Sequence, residues 1–319
     1  MTTRRLFIVA LFFVTSCGGA QSNNTSGQSG SATIKDGETL LEQGEFAAAA
    51  EVFEKVAANE PDNAEAYYYL GVAKKNLGDV EGAEKQYRLA IGYDANLHAA
   101  HNNLGLLLLE KGDLVHAESE LHTYLSNRPD DADAHFNYAL VLEVSGDIGK
   151  AEEHYKKAAE LNPEDASVWL GLGDLARKGN DLEKALSFYQ KGKEIAPDSP
   201  EVAIKEGQAL LDLKRLNEAI PVLESLTGMA ECDPGILATA GVLLAKFEED
   251  DRAIALYKAA IARDGSYASA HFLLANALAR KKQFKEAAEH FERFLEVAPE
   301  APEAAAARKR LEACKAQMK

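Results

Sequence analysis

At 319 residues the chain could hold two ordinary domains or one array of repeats, and its 9 prolines and 8% aromatic content lean towards an all-α protein. Its 35 Lys and Arg stand against 51 Asp and Glu, a net charge of −16. That balance leaves no basic surplus for phosphates, so nucleic acid is excluded as a partner, and surface charge would repel anionic lipid head groups.

The first element is a short apolar run. Arg4 and Arg5 precede an unbroken stretch from Leu6 to Val14, too short to span a bilayer as a helix but long enough for the core of a secretory signal. It ends in Val14-Thr15-Ser16-Cys17, which resembles the bacterial lipobox. The resemblance implies a signal peptide over residues 1–16, cleavage before Cys17, and acylation of both its thiol and its new amino group. One acyl chain holds a membrane weakly, whereas two or more hold it stably. Gly18 follows in place of the aspartate that retains enterobacterial lipoproteins in the inner membrane, so the resemblance points to the outer membrane, facing the periplasm. Apart from Cys17, residues 17–29 have almost no apolar side chains and read as a tether that typically spans about 20 Å.

From residue 30 the chain repeats itself every 34 residues. One series is small: Gly37, Gly71, Gly105, Ala139, Gly173, Gly207, Gly241 and Ala275. A second is alanine throughout: Ala49, Ala83, Ala117, Ala151, Ala185, Ala219, Ala253 and Ala287. A third is large and apolar: Phe53, Tyr87, Leu121, Tyr155, Tyr189, Leu223, Tyr257 and Phe291. Eight repeats without insertion cover residues 30–301, and the period resembles that of the tetratricopeptide repeat. The resemblance implies an all-α solenoid, a right-handed superhelix of helix-turn-helix repeats.

Each repeat reads as two antiparallel helices. Gly44, Gly78, Gly112 and Gly146 sit where the first helix turns into the second. Pro61, Pro129, Pro163, Pro197 and Pro299 end the second helix. The small residue is expected to face the alanine of the second helix, with the large residue filling the space between repeats. Repeats six and seven depart from the pattern: Glu206 stands at an otherwise mostly apolar place, Pro221 falls inside a helix, and Glu231 and Gly265 replace the final proline. A looser or bent stretch is expected near residues 205–235. Residues 302–319 read as one more helix that covers the apolar face of the last repeat.

In the family the inner face of the array binds partners. Its second, fifth, sixth, ninth, twelfth and thirteenth places in each repeat fall here on Tyr68, Tyr69 and Val72, then Asn102, Asn103 and Leu106, then Phe136, Asn137 and Leu140. Further along they fall on Leu170, Asp174, Arg177, Ile204, Gln208, Phe272 and Asn276. Rings beside amides suit an extended peptide or a helix of another protein. Asn103 and Asn137 resemble the stacked asparagines with which other long arrays hold a peptide main chain. The same residues also suit local packing, and sequence leaves both readings open. The lysine and asparagine pair that clamps chaperone C-termini is missing: those places hold Tyr68/Val72, Asn102/Leu106 and Phe136/Leu140.

Nothing in the sequence points to catalysis, a cofactor or a small-molecule substrate. His98 and His101 share a helix face without a third ligand, which gives no zinc site. His101, His135 and His271 recur at the fourth place of their repeats and read as packing residues. Glu248 to Asp251 reads as a solvated turn, and Cys232 and Cys314 lie too far apart along the array to pair with each other, leaving unpaired thiols or an intermolecular link. The whole resembles the tetratricopeptide lipoproteins of bacterial envelopes, in layout the type IV pilus pilotins and gliding-motility lipoproteins. That implies a non-enzymatic scaffold that binds envelope proteins and assists assembly of a secretin, pilus or motility machine. The alternative is a docking regulator of peptidoglycan hydrolases or outer-membrane assembly factors.

Overall fold

The computed structural model describes residues 32–318. The segment expected to hold the signal peptide, Cys17 and the tether lies outside the described residues. Within them are seventeen α-helices and no strand, paired as antiparallel helix-turn-helix repeats of an all-α protein. Residues up to His154 and from Tyr155 onward form two compact bodies.

The first body holds α1 (Ile34–Glu42), α2 (Phe46–Asn59), α3 (Ala64–Asn76), α4 (Val80–Tyr93), α5 (His98–Lys111), α6 (Leu114–Asn127) and α7 (Ala132–Ser145). The division falls within α8 (Ile148–Leu161). The second body holds α9 (Ala166–Lys178), α10 (Leu182–Ile195), α11 (Pro200–Asp212), α12 (Leu216–Ser225), α13 (Pro234–Ala245), α14 (Asp250–Arg263), α15 (Ala268–Arg280), α16 (Phe284–Val297) and α17 (Ala304–Gln317). Asn63, Asp79, Asp113, Asp131, Asp165, Asp181, Ser199 and Asp233 start their helices by accepting a backbone N–H with the side chain. Pro200 and Pro234 take first-turn places, where a missing N–H costs nothing.

Every repeat passes from its first to its second helix through a left-handed residue. In the first four repeats it is Gly44, Gly78, Gly112 or Gly146, with φ between 75° and 91°. The last four keep the same geometry without glycine: Asn180, Lys214, Glu248 and Lys282 have φ of 61°, 61°, 65° and 62°. A side chain there carries a local steric cost that the rest of the repeat must offset.

The close contact inside a repeat differs from the expected one. The small residue of the first helix meets first the large residue sixteen places on, with the alanine's backbone next to it in the second repeat, where Ala83 O lies 3.3 Å from a Cβ built on Gly71. A Cβ on Gly71 would lie 2.6 Å from the Tyr87 ring, on Gly105 2.6 Å from Leu121, and on Gly241 2.4 Å from Tyr257. The reason is size: a buried ring on the second helix needs a place with no side chain opposite it. The same large residue also meets the next repeat: the Phe53 ring stacks on Tyr69 at 5.4 Å, and Tyr155 lies against Gly171.

Around Pro221, α12 ends after ten residues, and a 3-10 turn, Leu226–Gly228, replaces its last turn. Arg263 of α14 holds this irregular stretch by donating to the carbonyls of Ala230 and, at 2.9 Å, Met229. The α17 helix buries Ala304, Ala307, Leu311 and Cys314. The thiols of Cys232 and Cys314 are both buried, which removes them from easy intermolecular linkage, and burial raises their pKa.

Candidate functional site

The first helices of successive repeats lie side by side, α1 with α3 and α5 with α7 in the first body, α9 with α11, α13 and α15 in sequence in the second. Their shared side is the inner face, and the structure ties it together with polar side chains one repeat apart.

In the first body Tyr69 donates its hydroxyl to Glu38 at 2.5 Å, and Lys75 pairs with Glu110 at 2.9 Å. Burial, and then the Glu38 carboxylate beside it, hold the Tyr69 phenol proton well above the ordinary range. The asparagines form a run: Asn137 donates to Asn102 Oδ1 at 2.8 Å, Asn102 donates towards Asn103 at 3.5 Å, and Asn103 donates to the Tyr68 hydroxyl at 3.3 Å. Asn103 is only 9% exposed, and its amide is engaged in this run, which is the local-packing reading that the sequence had left open for it. Tyr68, Tyr69, Val72, Asn102, Leu106, Phe136, Asn137 and Leu140 are half-buried and line the face.

In the second body the expected groove residues are mostly drawn into the structure. Leu170 is a core residue at 8% exposure, because α10 and α11 close over it. Asp174 accepts from Tyr189 at 2.6 Å and also takes Lys205. Arg177 pairs with Asp212 at 3.5 Å, and Gln208 donates to the same carboxylate at 2.7 Å. Ile204 packs on the core. The Phe272 ring lies 5.1 Å from that of Phe294, with the Arg310 guanidinium 5.7 Å from its centre, and Arg310 donates to Asn276.

The fourth place of the repeat has a definite task that sequence reading missed. Its side chain reaches the carbonyl six residues back and fastens the loop entering the repeat: Tyr67 to Pro61, His101 to Ala95, His135 to Pro129, Trp169 to Pro163 and His271 to Gly265, at 2.9–3.2 Å. The signal was a polar aromatic recurring at that place. Each histidine turns its other nitrogen to the second helix: His101 to Glu120 at 2.6 Å, His135 to His154 at 2.9 Å and His271 to His290 at 3.0 Å. With both nitrogens of His101 engaged, it does not share a ligand role with His98. Glu206 is 5% exposed and pairs with Lys193 at 2.7 Å, so its odd place is filled by an ion pair. A cleft of about 850 Å³ is lined by Lys193, Pro197, Pro221, Val222, Met229 and Glu231. The acidic run of repeat seven is engaged with its neighbours: Glu249 with Arg252, Asp250 with Arg280 and Asp251 with Lys281.

Stacked helix pairs whose first helices share one side-chain-linked face define a repeat scaffold that binds other proteins. The tetratricopeptide repeat model matches residues 35–96, 102–161, 144–200 and 239–305, well over half of the sequence, and the chain belongs to that family. Among solved structures it is similar to yeast Tom70 (TM-score 0.65, 19% identity, 86% of this chain and 59% of that one). It is also similar to a tetratricopeptide repeat protein from Parabacteroides merdae (TM-score 0.62, 17%, 77% and 97%). A third likeness is to PilF of Pseudomonas aeruginosa (TM-score 0.55, 21%, 62% and 90%). These identities speak for the fold alone. No curated protein matches the sequence.

Proposed function

We propose that this chain is a lipid-anchored scaffold of the bacterial envelope that recruits other proteins through the inner face of its first body, assisting assembly of a pilus, secretin or motility machine. The observation that carries the binding role is the row of half-buried Tyr68, Tyr69, Leu106, Phe136 and Leu140 on α3, α5 and α7, set beside the Asn137–Asn102–Asn103–Tyr68 run. Such a face offers apolar contact area already held in place, so little side-chain entropy is lost on docking. Attachment rests on Cys17 in its lipobox-like setting. The envelope assignment rests on that signal and on the pilotin-like layout.

The test is crosslinked capture from the native envelope with the wild type and a Tyr68→Leu/Phe136→Leu/Leu140→Ala variant that retains its helical circular dichroism. Loss of a defined partner supports the inner face, and the partner's identity separates pilus, motility and wall-hydrolase machinery. An unchanged partner set refutes the groove. For the anchor, Cys17→Ser should release the protein from membranes and abolish incorporation of labelled palmitate; retention in the membrane would refute it.

A further inference from the structure

The two bodies differ sharply in charge. Residues 32–154 hold 9 Lys and Arg against 24 Asp and Glu, a net charge of −15, whereas residues 155–319 hold 24 against 27, a net charge of −3. The inner face of the first body shares this excess. Its groove places carry the exposed Glu42, Glu65 and Glu110, with Glu38 bonded to Tyr69, against two lysines, Lys35 and Lys75, and Lys75 is engaged by Glu110. Between these carboxylates lie the half-buried rings of Tyr68, Tyr69 and Phe136.

The second body shows what such a ring takes. At the fifth place of the last repeat, Phe272 has the Arg310 guanidinium 5.7 Å from its centre, and that guanidinium also donates to Asn276 on the same face. Tyr68 and Phe136 occupy the fifth place of their own repeats. An aromatic face amid carboxylates is the chemistry that favours a guanidinium or ammonium group, through the ring quadrupole and through charge pairing together.

We propose that the inner face of residues 32–154 docks an extended, positively charged stretch of a partner protein, with its arginine or lysine side chains over Tyr68, Tyr69 and Phe136 and its charges paired with the surrounding carboxylates. The inference rests on the groove reading above and names the chemistry of its occupant. The acidic excess also steers such a segment to the face before contact, which makes association strongly dependent on salt.

The experiment uses the full chain and a fluorescein-labelled peptide in which arginine, leucine and glycine alternate, alongside the same peptide with glutamate for arginine. Fluorescence anisotropy should show binding of the arginine peptide only, weakened about tenfold or more between low and physiological salt. Glu42→Gln/Glu65→Gln/Glu110→Gln, all at exposed places, and separately Tyr68→Leu/Phe136→Leu should each weaken it by about tenfold. Glu201→Gln, the same kind of change on α11 of the second body, should leave it unchanged. Equal binding of the glutamate peptide, no binding of the arginine peptide, or full affinity in the triple glutamine variant would overturn the proposal. If the peptide arm fails while envelope capture still depends on Tyr68 and Phe136, the charge assignment falls and the groove stands. If both fail, the groove itself is refuted.

Discussion

Gly173→Ala tests the central packing idea, that the small place of the first helix exists to admit the large side chain sixteen residues on, here the Tyr189 ring. A Cβ built on Gly173 would lie 2.4, 2.7 and 2.9 Å from three atoms of the Tyr189 ring. Carbon atoms sit comfortably at about 3.5–4.0 Å, so the ring must retreat by about 1 Å. It has nowhere to go: Tyr189 is fully buried and its hydroxyl is fixed to Asp174 at 2.6 Å. Overpacking of this kind costs about 1–3 kcal/mol, and replacing a helical glycine by alanine returns about 1 kcal/mol of backbone propensity. The expected net loss is about 0–2 kcal/mol, read as a lower urea midpoint by circular dichroism. In a Tyr189→Leu background, where the ring is gone, the same Gly173→Ala change should become neutral or stabilising by up to about 1 kcal/mol. A Gly173→Ala protein more stable than the wild type, with no coupling to position 189, would refute the reasoning.

Glu248→Gly and Lys282→Gly should each raise stability by about 0.5–1 kcal/mol, since both residues sit at positive φ; a lower midpoint would show the side chains supply more than the strain removes. Asn137→Ala should cost about 0.5–1.5 kcal/mol by opening the amide run at Asn102, measured by urea unfolding. Lys193→Ala should destabilise more than Glu206→Gln, because it strands a carboxylate that is 5% exposed, whereas the glutamine variant leaves a lysine able to turn to water. Burial first, and the neighbouring His135 or His271 next, lower the pKa of His154 and His290. The unfolded chain then binds more protons than the folded one below the ordinary histidine value of about 6.5, so their contribution is full above that value and is lost as pH falls towards the lowered ones. His101 works the other way: the Glu120 hydrogen bond raises its pKa, and its contribution is present in acid and lost as pH rises through the raised value. A His154→Glu/His290→Glu variant, which copies the His101–Glu120 pairing, should therefore lose less stability between about pH 7 and pH 5 than the wild type; an unchanged pH profile would sink this assignment.

The fold was legible because one solution to the packing problem is written eight times. The sixteen-residue step from Gly71 to Tyr87 recurs in Gly173 to Tyr189 and Gly241 to Tyr257, although only the structure showed that the ring, not the alanine, fills the glycine place. The left-handed turn was legible only where glycine marks it. Lys214 and Glu248 adopt the same backbone because the helices on either side dictate it, and a modest strain leaves no mark on the sequence. The inner face was the least legible part. Whether Asn103 or Leu170 meets solvent depends on which side chain the neighbouring repeat places over it, and that choice changes from repeat to repeat.

The pairings along the inner face that escaped the sequence reading share a physical feature: each acts across the seam between repeats. Tyr69 with Glu38 and Lys205 with Asp174 are both thirty-one residues apart, while Lys75 with Glu110 and Arg177 with Asp212 are both thirty-five apart. The places are fixed by the period, but the chemistry at them is free to be tyrosine with glutamate, lysine with aspartate or two asparagines. An array stabilised by nearest-neighbour contacts tolerates that exchange as long as each seam is satisfied in itself. In the first body amides and tyrosines close the seams beside one ion pair of the inner face, Lys75 with Glu110. In the second body Asp174 and Asp212 are matched by Lys205 and Arg177 across the seam. The same scaffold thus keeps its folding contacts in both bodies while the balance of acidic and basic residues differs between them, −15 for residues 32–154 against −3 for residues 155–319.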